Sequence, residues 1–283
     1  MDPNQLKTKA KAFLDLHHGP HILVLPNAWD AASARIFEQA GFPAIATTSA
    51  GVAHSLGHPD GQRISRDEML AAVKKVVAAV SVPVSADMES GYGTTPDEVA
   101  ETARAVIAAG AVGMNFEDGT GIREKPLETL ELQIEKIRAI RAATTSLGVQ
   151  FVLNARTDVY LVQAVEPSVR AGEAILRANA YREAGADCLF VPGVADRNMI
   201  GTLAREIRGP VNILAGPAAP NATELEQLGV ARMSTGSGPM RATLTLLQRI
   251  AQELRQTGSV ASFTQNSITH AEANQLFERV EGR

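Results

Sequence analysis

A single cysteine, Cys188, in 283 residues excludes an internal disulfide and fits a chain kept in a reducing compartment. Its neighbours, Ala186-Asp187 before and Leu189-Phe190-Val191 after, are those of a strand, so the thiol is expected to be buried and structural. Aromatic residues are only 4% of the chain, which leaves the core to Ala, Val, Ile and Leu, the composition of packed helices and parallel strands. No apolar run approaches the roughly 20 residues of a membrane span. The polar N-terminus, MDPNQLKTKAKAFLDLHHGP, lacks the apolar stretch and cleavage site of a signal peptide. Charge of one sign is not in excess either. With 27 Lys and Arg against 31 Asp and Glu, the net charge of −4 gives no general attraction to nucleic acid or an anionic membrane. These absences predict a soluble, cytoplasmic protein with neither as a partner. There is no Walker loop, no dinucleotide fingerprint and no metal-ligand spacing among the six histidines. No lysine stands at a predicted strand end, which argues against Schiff-base chemistry.

What is present is strict alternation. Short apolar runs at 21–26, 44–48, 82–87, 112–117, 150–156, 188–192, 211–215 and 231–235 read as eight strands. Amphipathic patterns at 30–40, 66–80, 96–109, 127–144, 167–184, 196–205, 222–228 and 239–256 read as the helices between and after them. Ser65…Glu68, Thr95…Glu98 and Asn221…Glu224 are capping-box pairs. Ala40-Gly41, Ala109-Gly110 and Ala184-Gly185 are helix ends turning into strands. Eight βα units predict an α/β fold, a (β/α)8 TIM barrel, as a single domain over 1–283. An extra helix before Gly19 is expected to cover the barrel bottom. Residues 258–283 are expected to form a C-terminal helical arm with a helix at 268–280.

In such barrels the chemistry sits at the C-terminal ends of the strands. There the third strand offers Asp87 and Glu89, two apart and so on one face. The fourth offers Glu117 and Asp118, and the fifth Arg156. Carboxylates delivered to one rim repel unless a cation holds them, and an oxygen-only set suits Mg2+ or Mn2+. Arg156 fits either a structural ion pair or a bidentate grip on a carboxylate or enolate. The run Thr48-Ser49-Ala50 offers hydroxyls and amides for an anion, and also fits a simple turn. Asp60 fits a turn or a functional acid.

Taken in order, LPNAWDAASA, TTSAGVAHSLGHPDG, VSADMESGYG, MNFEDG, LNARTD and the stretch at 211–230 resemble the isocitrate lyase/phosphoenolpyruvate mutase superfamily over about residues 23–237. The resemblance implies a barrel, usually a homotetramer with a swapped C-terminal helix, that holds Mg2+ and acts on a small 2-keto acid or hydroxy diacid through a pyruvate-like enolate. It implies Asp87 as the direct metal ligand, Glu89 and Glu117 as ligands mainly through water, and Asp60 as an outer ligand or a catalytic group near the reacting centre. Thr48, Ser49 and Ala50 would hold the keto-acid carboxylate, Arg156 would be catalytic at the enolate oxygen, and Asn212 would line the pocket.

Two departures shape the functional expectation. Asp87-Met88-Glu89 replaces the usual Asp-x-Asp, with a longer second arm. The isocitrate and methylisocitrate lyases carry a catalytic cysteine after strand four, and the matching stretch here, 119–126, has none. The expectation is a Mg-dependent lyase performing carbon–carbon cleavage or decarboxylation. A phosphoenolpyruvate or carboxyphosphonoenolpyruvate mutase or a phosphonopyruvate hydrolase is the alternative within the superfamily. A non-catalytic keto-acid-binding or assembly barrel is the alternative of another class.

Overall fold

The computed structural model describes residues 2–162, 165–265 and 267–278. Its strands are β1 (Leu23–Leu25), β2 (Asn27–Ala28), β3 (Ile45–Thr47), β4 (Val84–Asp87), β5 (Gly113–Glu117), β6 (Gly119–Ile122), β7 (Lys125–Leu127), β8 (Val152–Arg156), β9 (Cys188–Phe190), β10 (Val211–Leu214) and β11 (Arg232–Ser234). Its helices are α1 (Pro3–Leu16), α2 (Ala31–Gln39), α3 (Ser49–Ser55), α4 (Arg66–Ala79), α5 (Pro96–Ala108), α6 (Leu130–Ser146), α7 (Arg170–Ala184), α8 (Arg197–Glu206), α9 (Ala222–Gln227), α10 (Gly238–Thr257), α11 (Ala261–Thr264) and α12 (His270–Phe277).

All strands except β6 and β7 join one parallel sheet, in the order β1-β11-β10-β9-β8-β5-β4-β3-β2. Its two edges are halves of one strand. Pro26 cannot donate to a ladder and separates β1 from β2, while its carbonyl accepts from Ala46 N at 2.9 Å. β1 pairs with β11 and β2 with β3. The bent strand therefore bridges the sheet edges and closes a (β/α)8 barrel. The expected capping boxes are formed at Ser65, Thr95 and Asn221. The glycines that end three helices, Gly41, Gly110 and Gly185, have φ of 90°, 93° and 116°, which a side chain rarely adopts.

The barrel bottom is stoppered by α1, which buries Phe13 completely and His17 almost so. A Cβ at Gly113 would lie 2.9 Å from Phe13 Cε1 and 2.8 Å from Val152 O, so the missing side chain makes room for the stopper. Cys188 is fully buried in β9 and its thiol is pushed up to about 12 by burial, as expected of a structural cysteine.

Three features differ from the pattern read in the sequence. The stretch 119–126 forms an antiparallel hairpin, β6–β7. A short helix, α3, follows β3 directly, capped by Thr48. The helix expected at 239–256 is present as α10, but of its twenty residues only Met240 is buried. An amphipathic pattern demands a partner surface without saying whose it is. Here the stripe of Leu244, Leu247 and Leu254 is left exposed. The last helix is α12; residues 279–280 of the expected span 268–280 lie outside the described residues. Among the described residues no helix is long and apolar enough to cross a membrane.

Candidate active site

The C-terminal ends of β4, β5 and β8 place three carboxylates and an arginine at one rim. Asp87 ends β4 and is 7% exposed. Its Oδ2 accepts from the Ser49 backbone N–H and hydroxyl, both at 2.8 Å, and its Oδ1 from Asn115 Nδ2 at 3.3 Å. Ser49 is delivered because Thr48 caps α3 and turns the chain; a Cβ at Gly51 would meet Thr48 Cγ2 at 2.6 Å. Thr48, Ser49 and Ala50 are all buried here.

Glu89 is 5% exposed, and its carboxyl accepts from Gln62 N at 2.7 Å and from the Tyr92 hydroxyl at 3.2 Å. Gln62, Glu89 and Tyr92 have φ of 54°, 51° and 53°, and are the non-glycine residues in the left-handed region among those described. All three meet at one carboxylate. Strain of about 1–3 kcal/mol per residue persists only where surroundings enforce it, a habit of functional sites. Burial, then the charges of Asp87 and Asp60, push the Glu89 carboxyl up to about 7. Asp60 itself sits in the exposed loop between α3 and α4.

Glu117 ends β5. Burial raises its carboxyl well above the usual range, with Asp158, Asp87 and Glu89 adding to the rise and Arg156 opposing it. Arg156 Nη1 is 2.7 Å from Glu117 Oε2, an ion pair without hydrogen-bond alignment, so that oxygen is buried with no hydrogen-bond partner. Arg156 is clamped from its other side by Asp158, through Nε–Oδ1 at 2.5 Å and Nη2–Oδ2 at 3.0 Å, and lies over the Phe190 ring. Asp158 is held in turn, its N–H donating to Asp118 Oδ1 at 2.8 Å. Asp118 Oδ2 accepts from Tyr181 and Arg177, tying the base of the β6–β7 hairpin to α7.

Asp87, Glu89 and Glu117 are thus neighbours whose charges act on one another, with Asp60 at the margin. Asn212 is inside the barrel, fully buried and paired with Ser234. Among the described residues no three His, Cys, Asp or Glu side chains close on a single point. Both Asp87 oxygens are turned to Ser49 and Asn115. The donor set is nonetheless hard oxygen, crowded, and includes an orphaned buried atom, which fits a divalent cation reached partly through water. A cavity of about 1370 Å³ opens at the opposite end of the barrel, lined by Lys9, Arg35, Phe42, Lys74 and Arg104 among others, and touches none of these carboxylates.

Reading the sequence puts Asp118 at the rim but gives neither it nor Asp158 a role in building the site. The signal was available. Arg156 and Asp158 are two apart, the spacing that pointed to Asp87 and Glu89. Gln62 and Tyr92 carried no comparable signal, since their role depends on backbone conformations the sequence does not announce.

Known proteins resemble this one along nearly its whole length. The family model described as phosphoenolpyruvate phosphomutase matches residues 13–255. The 2-methylisocitrate lyase of Escherichia coli is 31% identical, covering 97% of this chain and 93% of its own. A solved Burkholderia cenocepacia protein of the lyase or mutase type superposes with a TM-score of 0.92 at 39% identity over 98% of both chains. Oxaloacetate acetylhydrolase bound to its product oxalate superposes with a TM-score of 0.84 at 26% identity over 95% of this chain and 93% of that one. The carboxylate rim, the barrel that carries it and these likenesses place the chain in the phosphoenolpyruvate mutase/isocitrate lyase family.

Proposed function

We propose that the protein is a Mg2+-dependent lyase that cleaves a carbon–carbon bond of a small 2-keto acid or substituted malate, or decarboxylates it, through a pyruvate-like enolate. One observation carries the reading: buried carboxylates from adjacent strand ends, at least two of them held above their usual range by burial and by one another. Isolated, such a cluster costs stability; a divalent cation relieves it. Asp87 is the direct ligand, Glu89 and Glu117 act mainly through water, and Asp60 is an outer ligand or a group near the reacting centre. When bound, the cation supplies Lewis acidity and a template for a keto acid.

The protein's own groups do the rest. Arg156, fixed by Asp158, places its positive charge where the enolate oxygen develops, without having to reorganise. Thr48, Ser49 and Ala50 orient the substrate carboxylate by hydroxyl and amide, Ser49 once its two donors leave Asp87 Oδ2, and Asn212 lines the pocket. The β6–β7 hairpin excludes water. The hairpin holds no cysteine, and Cys188 is buried in β9 with its thiol held protonated, so the reaction uses no thiol acid. This separates the proposed substrate from that of the E. coli relative. The assembly is a homotetramer of single-domain chains in which a C-terminal helix swaps onto a neighbour. Support comes from the uncovered apolar stripe of α10.

The test is a Mg2+-supplemented screen of oxaloacetate, phosphonopyruvate and alkylated malates, following keto-acid release. Asp87→Ala is expected to abolish turnover. Oxalate, which mimics the pyruvate enolate, should raise Tm only when Mg2+ is present; at a hundredfold its Kd the gain is about 2.7 kcal/mol. Turnover of phosphonopyruvate alone would reassign the protein to the mutase or hydrolase branch. Indifference to both Mg2+ and oxalate would leave a binding or assembly barrel.

A further inference from the structure

Arg232, on β11, is fully buried in the barrel, and every hydrogen-bond partner it has among the described residues is neutral. Those partners are Ser234 Oγ at 3.3 Å, His17 Nε2 at 3.5 Å and Asn115 Oδ1 at 3.4 Å. A buried charge without a counter-ion is costly, so a role is called for. The carboxylate whose charge reaches it is Asp87, one residue further on, through Asn115.

Asn115 is the joint. Its Oδ1 accepts from Arg232 Nη2 and, at 2.7 Å, from Asn154 Nδ2. With two donors on the oxygen, the amide can face Asp87 only with its NH2, and Nδ2 donates to Asp87 Oδ1 at 3.3 Å. The flipped amide would set a carbonyl against a carboxylate and an NH2 against a guanidinium. His17 secures Arg232 from below: its Nδ1 lies 2.8 Å from Phe13 O and so carries the proton, which leaves the Nε2 lone pair for the guanidinium.

We propose that Arg232 is a positioning residue: by locking the Asn115 amide in one orientation it holds Asp87 turned into the rim, and so sets the affinity of the cation site from inside the barrel. This rests on the divalent-cation reading above. The sign of one measurement separates it from a bare charge effect. A positive charge near a cation site weakens cation binding, so deleting it should tighten binding if charge were its whole influence. If Arg232 acts by orientation, deletion loosens binding.

The probe is Mn2+ alone, with no substrate, its free concentration read by electron paramagnetic resonance against the full chain. Arg232→Met fills similar volume without donors. The expected result is a Kd for Mn2+ weakened about tenfold, the worth of one oriented charge-assisted hydrogen bond. In a double-mutant cycle with Asn115→Leu, the double variant should lose no more than the worse single one, because both break one chain of contacts. Unchanged or tighter Mn2+ binding in folded Arg232→Met, or additive losses, overturns the proposal. Should Arg232→Met not fold, Asn154→Ala removes the other donor to Asn115 Oδ1 with the charge in place. Its Kd should weaken about threefold, and an unchanged Kd overturns the proposal equally. A wild-type protein that takes up no Mn2+ overturns the cation reading itself, an outcome distinct from a variant that binds as well as wild type.

Discussion

His17 shows what a single residue under the barrel does to the pH response. Burial, and then the charge of Arg232, push its imidazole down from the usual 6.5 to about 3. Between those values the unfolded chain binds a proton that the folded one refuses. Its contribution to stability is therefore complete above about pH 6.5 and is lost as the pH falls toward 3, with a slope of at most about 1.4 kcal/mol per pH unit. Urea unfolding from pH 7.5 down to 4.5 should show wild type losing stability more steeply than His17→Leu, which has no proton to refuse. Parallel curves would mean that His17 is not held neutral. At this same scale much of the site was legible in the sequence, because βα alternation fixes which residues end strands and so made Asp87, Glu89, Glu117 and Arg156 candidates. Arg232 was not. A lone arginine in a five-residue run gives no sign of whether it points to the barrel axis or to the helices.

The element that matters most to the rim is the β6–β7 hairpin, and its first residue shows how closely it is joined to the chemistry. A Cβ at Gly119 would lie 2.5 Å from Asp158 Oδ2, the oxygen that holds Arg156 Nη2. Gly119→Ala should therefore push Asp158 off Arg156 while leaving the core intact. The expected outcome is a fall in kcat/KM of at least about tenfold with a stability loss of about 1–3 kcal/mol, the range for overpacking. Wild-type kinetics in this variant would show that the clamp does not matter to turnover. The hairpin's root is a separate matter of stability. Asp118 is buried between Arg177 and Tyr181, and Asp118→Ala would strand the Tyr181 hydroxyl and the Asp158 N–H and take from Arg177 one of its two carboxylate partners. A loss of about 3–5 kcal/mol is expected by denaturant unfolding. Neither role could be read from Gly119-Thr-Gly-Ile-Arg-Glu-Lys-Pro126, whose strands are too short and too glycine-rich to alternate visibly. The break at Pro26 was equally hidden, because a strand that bends to serve two neighbours has the same composition as one that does not.

At the scale of the whole molecule the feature that reaches beyond one chain is α10. Met240, Leu244, Leu247, Ala251 and Leu254 recur at helical spacing, so the sequence pattern asks for a partner surface as firmly as any barrel helix does. Among the described residues of one chain α10 finds none: Leu247 is 60% exposed and Leu254 43%. Further along the arm Val260, Phe263, Ile268 and Phe277 are exposed too. The arm is anchored where it returns, Arg35 Nε donating to the carbonyl of Leu276 at 3.0 Å, so it does not simply hang in solvent. Apolar side chains left uncovered along a 20-residue helix are what a swapped helix presents before its neighbour arrives. Charges placed in the middle of that stripe should prevent the exchange while leaving the barrel folded, since the residues replaced contribute nothing to the barrel's own core. If the proposed tetramer forms through this stripe, Leu247→Glu combined with Leu254→Glu is expected to give a monomer in light scattering, with the circular dichroism of the barrel retained. A double variant that stays tetrameric would mean that the subunits meet through another face, and that the stripe on α10 serves something other than self-assembly.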